Sequence, residues 1–302
     1  MIDLSIVIVS YNGKEFLRNC VLSIRNNISN KIKYEIIVVD NASSDGSAVE
    51  ISRLRQGFGG QAKLKIILNK ENVGFSKANN QGIKISEKCN YVLFLNPDTV
   101  MEKGTIEKMI EFMDENENAG ASTCKIIMPN GEIDDASHRG FPTPWNAFCH
   151  FSGLAGIFPK SKLFSGYNLG WKDFSKAHEI DALAGAFMLV RISAGEEAGW
   201  WDEDYFFYGE DIDFCYKLKQ RGWKIYYLPE VSIRHFKGVS SGIKGVSKQI
   251  TTASKETKKW ATHQRFKAMK IFYNKHYKDK YPSFVSWLVD KGISIKERLS
   301  GI

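Results

Sequence analysis

Three apolar runs in the first hundred residues stop at side chains that can do chemistry. Residues 4–9 stop at Ser10-Tyr11-Asn12-Gly13, residues 35–39 at Asp40-Asn41, and residues 91–95 at Asn96-Pro97-Asp98. Each run reads as a strand, and helix-like sequence follows it. In an open α/β sheet, ligands bind beyond the carboxyl ends of parallel strands. Three polar strand ends, two of them carrying an Asp, therefore point at one crevice with negative charge in it. Such a crevice suits a divalent cation, and the cation suits a diphosphate. A fourth acidic segment, Gly209-Glu210-Asp211-Ile212-Asp213, opens a helix. Asp211, Phe214, Cys215 and Leu218 fall at i, i+3, i+4 and i+7, so Asp211 shares the inward face with three apolar side chains. Two readings of Asp211 stand. One is capping and dipole stabilisation, which needs one acid where the segment has three. The other is a general base held in a cleft. Taken singly, Asn96-Pro97-Asp98, Asp40-Asn41 and Asn72-Val73-Gly74-Phe75 are also ordinary turn or cap sequences. A lone histidine such as His235 reads first as structural.

The elements that must position these residues alternate. A helix over 15–26 follows the first strand, and the cap cluster Ser43-Ser44-Asp45-Gly46-Ser47 follows the second. A strand over 64–68 leads to the Asn72 turn and a helix over 76–85; the strand at 91–95 leads to a helix over 105–116. This is the pattern of βαβ units on a parallel sheet. Residues 55–61, rich in Gly and Gln, interrupt it and read as an inserted surface loop without chemistry. Residues 125–180 lack clear periodicity and hold four prolines, which suggests a long functional or mobile loop. A buried strand is expected over 182–190, then an aromatic and acidic stretch over 200–208. A helix over 210–220 stopping near Gly222 comes next, then a strand over 224–228 and a turn at Pro229 before Ser232-Ile233-Arg234-His235. From about 255 the chain reads as helical, basic and aromatic. The expected organisation is one α/β domain over 1–240, with a nucleotide half of about 1–125 and an acceptor half of about 126–240. A basic helical region over 241–302 follows.

Apolar residues make up 43% of the 302 and charged residues 25%, ordinary for a soluble globular protein. No window is apolar enough to span a membrane. A strand begins almost at Met1, so no signal peptide is expected. The five cysteines are scattered, odd in number and without a CxxC pair, which predicts reduced thiols in a cytoplasmic protein and no zinc site. Residues 237–302 hold 15 Lys and Arg against 4 Asp and Glu, a net +11, so the rest of the chain stands at −3 against a total of +8. A basic segment can serve nucleic acid or an anionic membrane. The acidic balance of the main domain argues against nucleic acid. Phe284, Trp287, Leu288, Lys291 and Ile295 recur at helical spacing. They form either a helix packed on the domain or one lying on a membrane surface.

Together and in order, six segments resemble the motifs of glycosyltransferase family 2. They are Ser10-Tyr11-Asn12, Val38-Val39-Asp40-Asn41-Ala42-Ser43-Ser44-Asp45-Gly46, Asn72-Val73-Gly74-Phe75, Asn79-Asn80-Gln81-Gly82, Asn96-Pro97-Asp98 and Gly209-Glu210-Asp211-Ile212-Asp213. The similarity is nearest to the rhamnosyltransferase-like subgroup and covers roughly residues 3–240. It implies the GT-A fold, a Rossmann-like and mostly parallel sheet flanked by helices, and a nucleotide-sugar donor. Asp40 would contact the nucleotide base near Ser10, Tyr11 and Asn12, and Asn72 and Gly74 would line the nucleotide pocket. Asn96-Pro97-Asp98 stands where the family has its Asp-x-Asp metal motif, with Asp98 the ligand for Mg2+ or Mn2+. Asn in the first position leaves one carboxylate fewer and predicts modest metal affinity. His235 matches a position that completes the metal shell in some members, and Asp211 matches the catalytic base. Gly185 and Ala186, with Glu210, would flank the acceptor side.

The implied reaction is a single displacement with inversion. The donor would be a nucleoside diphosphate sugar, dTDP-rhamnose first among them. The acceptor would be a lipid-linked cell-surface glycan at the inner face of the plasma membrane. Two rivals remain at this point. A sugar nucleotidyltransferase would carry a Gly-rich basic loop where Ser10-Tyr11-Asn12-Gly13 stands. A non-catalytic nucleotide- or glycan-binding module would have lost the acid at 98 or 211.

Overall fold

The structure, a computed structural model, describes residues 1–58, 62–236 and 254–300. Its first half follows the alternation in the sequence. It runs β1 (Ile2–Ser10), α1 (Lys14–Asn27), β2 (Tyr34–Asp40), α2 (Ser47–Gln56), β3 (Ala62–Leu68), α3 (Phe75–Lys84) and β4 (Cys89–Leu95). Then come β5 (Thr99–Met101), α4 (Thr105–Glu115), β6 (Ala119–Ile127), α5 (Pro144–Phe151), α6 (Leu154–Ile157), β7 (His178–Ile180), β8 (Phe187–Arg191) and α7 (Ile192–Ala198). The chain continues through α8 (Glu210–Gln220), β9 (Lys224–His235), α9 (Lys255–His276) and α10 (Ser283–Leu299). The strands form one sheet ordered β3-β2-β1-β4-β8-β6-β9-β5, with β7 also on β9. β3, β2, β1 and β4 are mutually parallel; β8 is antiparallel to β4 and β6; β9 is parallel to β6. Six strands thus end at the same edge, the α/β architecture expected from the sequence.

Side chains alternate across the central strands and feed two cores. Leu4, Ile6, Ile8, Ile36, Val38 and Leu93 pack on one side with α1 and α4. Val7, Ile37, Val92 and Phe94 pack on the other with Phe214, Cys215 and Leu218 of α8. Burial on both faces explains why these strands read as continuous apolar runs. α9 lays Ala268, Phe272, Tyr273 and Tyr277 against Tyr205, and α10 packs on α9.

Several expectations need correction. β8 is shorter than 182–190: residues 182–186 are buried but outside the strand, and Ala182 instead pairs with Arg139. Pro229 is not a turn. β9 runs through it, and its register against β6 jumps from Leu228 to Ser232 between Cys124 and Lys125. Proline has no N–H to give the ladder, so the chain bulges there and pairing resumes beyond. The segment 125–180 is not a long loop, because α5, α6 and β7 lie within it. α5 begins with a Thr143 side-chain cap, accepting from the Asn146 N–H at 3.1 Å, and Pro144 in its first turn. The interruption at 55–61 is smaller than expected. Arg55 and Gln56 close α2, and Phe58 packs on the core with the Arg25 guanidinium 5.4 Å from its ring centre. Residues 59–61 lie outside the described residues, as do 237–253, where the expected boundary at 240 falls. All five cysteines are free and buried. Among the described residues, no helix is long and apolar enough to cross a membrane.

Candidate active site

The carboxyl edge of the sheet collects the residues singled out above. Ser10 and Asp40 face each other on the last rung between β1 and β2. Beyond them the two loops knit together. The Asn12 N–H donates to Ser43 Oγ at 2.9 Å, and the Ser44 N–H donates to Asn12 Oδ1 at 2.8 Å. Asp40 is almost wholly buried. Its Oδ2 accepts from the Ser43 N–H at 3.0 Å, while its Oδ1 and the Ser10 Oγ have no hydrogen-bond partner. Buried polar atoms left unpaired in this way are candidates to meet a ligand. Tyr11, 44% exposed, offers an aromatic face beside them.

Asn41 ties this corner to the next loop. Its Nδ2 donates to Asn72 Oδ1 at 2.7 Å, and its Oδ1 accepts from Asn69 Nδ2 at 3.0 Å and the Val73 N–H at 3.1 Å. Gly74 has φ +88°, and a Cβ on it would stand 2.9 Å from the Phe206 carbonyl oxygen. Only glycine fits this approach. The Phe75 N–H donates to that same carbonyl at 2.9 Å, so the start of α3 is pinned to the segment entering α8.

After β4, the Asn96 N–H donates to the Ala186 carbonyl at 3.1 Å, and Thr99 opens β5 opposite His235 at the end of β9. This pairing sets Asp98 Oδ1 3.1 Å from His235 Nε2, with Asp134 Oδ2 3.7 Å from His235 Nδ1. Burial alone would depress the imidazole, but Asp98 and Asp134 outweigh it and push His235 up to about 9. Asp98 Oδ1 and His235 Nε2 are buried and close, yet not aligned as a hydrogen bond. A carboxylate and an imidazole converging in this way fit a divalent ion, which on binding would displace the proton that Asp98 and Asp134 hold on the ring. The mixed donor pair suits Mn2+ better than the all-oxygen shell preferred by Mg2+. Asp134, at the other ring nitrogen, is placed to orient the histidine. Among the described residues, no three acidic, His or Cys side chains gather as a closed metal cage. An ion here would therefore take most of its ligands from substrate oxygens or water.

The third part of the site is the start of α8. Tyr208 and Gly209 both adopt positive φ, +71° and +82°, turning the chain sharply into the helix. For tyrosine that conformation is strained. No side chain caps the helix. Asp211 Oδ2 accepts from Arg139 Nη2 at 2.8 Å, and the same guanidinium donates to the Leu183 carbonyl at 3.1 Å. Burial works against the charge on Arg139, but Asp211 and Tyr167 outweigh it and raise the group above its ordinary value. Glu210 is buried with one carboxylate oxygen unpartnered; burial and then the Asp211 charge push it up to about 8. Asp213 turns the other way. It is fully buried and accepts from His276 Nε2 at 2.7 Å and the Tyr205 hydroxyl at 3.3 Å. Gly185 lies against Phe75, where a Cβ would be in ordinary contact with the ring at 3.5 Å.

The contacts Asn96–Ala186, Gly185–Phe75 and Gly74–Phe206 thus join all three parts along one edge. Sequence reasoning missed Arg139, Asp134 and the Asp213–His276 pair. Arg139 lies in the aperiodic stretch and meets Asp211 across 72 positions, so no local spacing marks it.

A mostly parallel sheet with amide and acidic side chains along its carboxyl edge is the architecture of a GT-A glycosyltransferase. The chain superimposes on GalNAc-T7, solved with UDP, GalNAc and Mn2+, with a TM-score of 0.59 at 16% identity over 78% of this chain and 44% of that one. It superimposes on residues 1–349 of S. aureus TarS in complex with UDP-GlcNAc with a TM-score of 0.54 at 18% identity, over 87% of this chain and 66% of that one. The family model for glycosyl transferase family 2 matches residues 5–175, and that for glycosyl transferase family group 2 matches residues 91–262. The chain belongs to glycosyl transferase family 2 and is a glycosyltransferase. Its relatives include the rhamnosyltransferase WbbL of Escherichia coli K12, 27% identical over 76% of this chain and 82% of that protein. The N-acetylglucosaminyl-diphospho-decaprenol L-rhamnosyltransferase of Mycobacterium tuberculosis H37Rv is 25% identical over 79% of this chain and 78% of that protein.

Proposed function

We propose that this glycosyltransferase moves rhamnose from dTDP-rhamnose, with inversion, onto a lipid-linked intermediate of a cell-envelope glycan at the cytoplasmic face of the membrane. The reading rests on one observation: the Asp98–His235 pair and the Arg139-held Asp211 sit on the same sheet edge, joined by contacts between their loops. The two rhamnosyltransferase relatives support the sugar, and the decaprenol-linked substrate in the mycobacterial name supports the acceptor class.

In this reading, residues of about 1–125 bind the donor. Asp40 takes the base with its unpaired oxygen, Tyr11 and Asn12 flank it, and Asn72 and Gly74 shape the pocket. Asp98 and His235 hold a divalent ion, Mn2+ or Mg2+, which when bound neutralises the diphosphate leaving group. Residues of about 126–240 receive the acceptor beside Gly185, Ala186 and Glu210. Asp211 accepts the proton of the acceptor hydroxyl as that oxygen attacks the anomeric carbon. Arg139 keeps the Asp211 carboxylate oriented. Glu210, whose burial favours its neutral form, can donate a hydrogen bond when protonated. With one base and no second nucleophile assigned, the chain contributes positioning more than covalent chemistry.

A thermal-shift screen of nucleoside diphosphates and nucleotide sugars, with and without Mn2+, tests the reading. A true donor at a hundredfold its Kd adds about 2.7 kcal/mol of stability, which moves a chain of this size by several degrees. dTDP and dTDP-rhamnose should give the largest shift, and only with the metal. No shift with any nucleotide, metal present or not, would remove the donor site.

A further inference from the structure

Two surface elements with no role in the transfer chemistry turn large apolar side chains outward. α10 faces α9 with Ile293 buried, with Ser286 Oγ 3.0 Å from the Tyr273 hydroxyl, and with Glu297 2.8 Å from His263. On its opposite side Phe284, Trp287, Leu288 and Ile295 recur at i, i+3, i+4 and i+11, each between 54% and 63% exposed. Lys291 and Arg298 fall on that same stripe and are also exposed. α5 behaves alike: Cys149 is buried, while Trp145, Phe148 and Phe151 are exposed at i, i+3 and i+6. Ile157 and Phe158, at the end of α6, extend the apolar surface, and Lys160 and Lys162 follow them. The two elements meet where the Lys296 ammonium lies 5.3 Å from the centre of the Phe151 ring. The Trp145 indole N–H donates to the Leu163 carbonyl at 2.8 Å, which fixes that ring at the surface.

A soluble protein rarely leaves this much large apolar surface uncovered without a partner for it. Charge decides which partner. Each apolar stripe is interleaved or bordered with lysine or arginine. Of the two acids on α10, Glu297 is engaged with α9 and Asp290 points away from the stripe. Lysine is depleted in the cores of protein–protein interfaces, whereas tryptophan and phenylalanine beside lysine suit the boundary between headgroups and acyl chains of an anionic bilayer. The net +11 over residues 237–302 points the same way.

We propose that α10 and the α5–α6 hairpin form one surface that docks the protein on an anionic lipid bilayer. α10 lies in the interface plane, and the hairpin sets its aromatic side chains beside it. The hairpin follows Arg139, the partner of Asp211, in sequence, with Phe141 packed on the core between them, so docking would bring the membrane near the acceptor side of the site. Only that last step rests on the function proposed above; docking stands or falls independently of it.

Sedimentation of the full-length chain with vesicles of phosphatidylglycerol and phosphatidylcholine, against phosphatidylcholine alone, tests the docking. The protein should pellet with the anionic vesicles at low salt, much less with the neutral ones, and progressively less as salt rises. Trp287→Ser with Leu288→Ser, and separately Phe148→Ser with Phe151→Ser, should each lower the partition coefficient about tenfold or more, with circular dichroism and melting unchanged. Retention in the supernatant with anionic vesicles at low salt overturns the proposal. Binding indifferent to the Phe148 and Phe151 changes overturns the two-element surface. If the same pairs of changes dissociate a dimer seen by light scattering while vesicles capture nothing, the face belongs to a second copy of the chain and the membrane assignment fails.

Discussion

Asp211→Asn separates catalysis from stability, because the structure limits what the change can disturb. The side chain is 15% exposed and its Arg139 partner 13%, with 2.8 Å between Oδ2 and Nη2. Asparagine keeps the shape and one oxygen that can still accept from Arg139, and the guanidinium keeps its contact with the Leu183 carbonyl. What goes is the charge facing a buried guanidinium and the second acceptor, since Asp211 Oδ1 also accepts from the Ile212 N–H at 2.8 Å, together about 2–4 kcal/mol. Some of this returns, because the Asp211 charge is one of the forces that burden the buried Glu210. The expected loss of stability is therefore about 2–3 kcal/mol, roughly 5–10 °C in Tm, which leaves the variant folded. The expected loss in kcat, if Asp211 is the base, is about a hundredfold to ten-thousandfold, with donor KM little changed. Asp213→Asn is the matched control on the same helix. It strips the carboxylate from His276 and from Lys217, 2.7 and 3.4 Å away, in a fully buried position. It should cost about 3–5 kcal/mol of stability while the folded fraction turns over normally. Initial rates with dTDP-rhamnose and a soluble acceptor, read beside melting curves and a direct titration with dTDP, distinguish the two. Turnover by Asp211→Asn within a few-fold of wild type refutes the assignment. So does an equal loss of kcat in a stably folded Asp213→Asn.

Asp98→Ala should weaken dTDP binding in the presence of Mn2+ by about tenfold or more, since it removes the one carboxylate of the proposed ion site. Full transfer activity in EDTA, after bound metal has been stripped, would count against any ion at Asp98 and His235. Glu210 binds its proton up to about 8 in the folded chain against an ordinary 4.5, so the folded state holds more protons between those values and stability falls as pH rises through them. Glu210→Gln should flatten that fall; parallel melting profiles for the two proteins from about pH 5 to about pH 8 would mean Glu210 is ionised where it lies. Gly74→Ala forces a Cβ to 2.9 Å from the Phe206 carbonyl at φ +88°. It should cost about 1–3 kcal/mol and loosen donor binding. An unchanged Tm and an unchanged Kd for dTDP would show that the two loops are not clamped there.

The first 125 residues or so were readable because their information is local. β1, β2 and β4 are buried on both faces, so each is a short apolar run that polar residues can only end, and the chemistry sits at those ends. α8 was readable too, because a carboxylate among Phe214, Cys215 and Leu218 at helical spacing contradicts burial unless something holds it. The remainder depended on partners far away in sequence. β8 lies between β4 and β6, and its edge at Phe187 is set by which of its neighbours offer a ladder, not by its own composition. Pro229 looks like a stop in sequence, yet β6 continues alongside and reclaims the strand at Ser232. α5 did leave a local trace, Thr143 followed by Pro144, but four prolines in an aperiodic stretch concealed it.

The acids at the head of α8 mark the limit of periodicity most clearly. Successive residues of a helix are about 100° apart, so Asp211 and Asp213 diverge by about 200° and cannot serve one site. Periodicity placed Asp211 on the sheet side, but it cannot supply the arginine that meets it there. It is silent about Asp213, because the side of α8 that carries this residue is covered by Tyr205 and by α9, a helix beginning at Lys255. Three carboxylates within four residues therefore look interchangeable in sequence. In the fold one is held by Arg139 at the candidate site, one is buried beside it where burial raises its hold on a proton, and one fastens α9 to the domain through His276. The C-terminal helices are consequently part of how α8 is held. A change at His276 should therefore loosen α9 from α8 and lower the melting temperature, as Asp213→Asn should, while the folded fraction keeps its turnover.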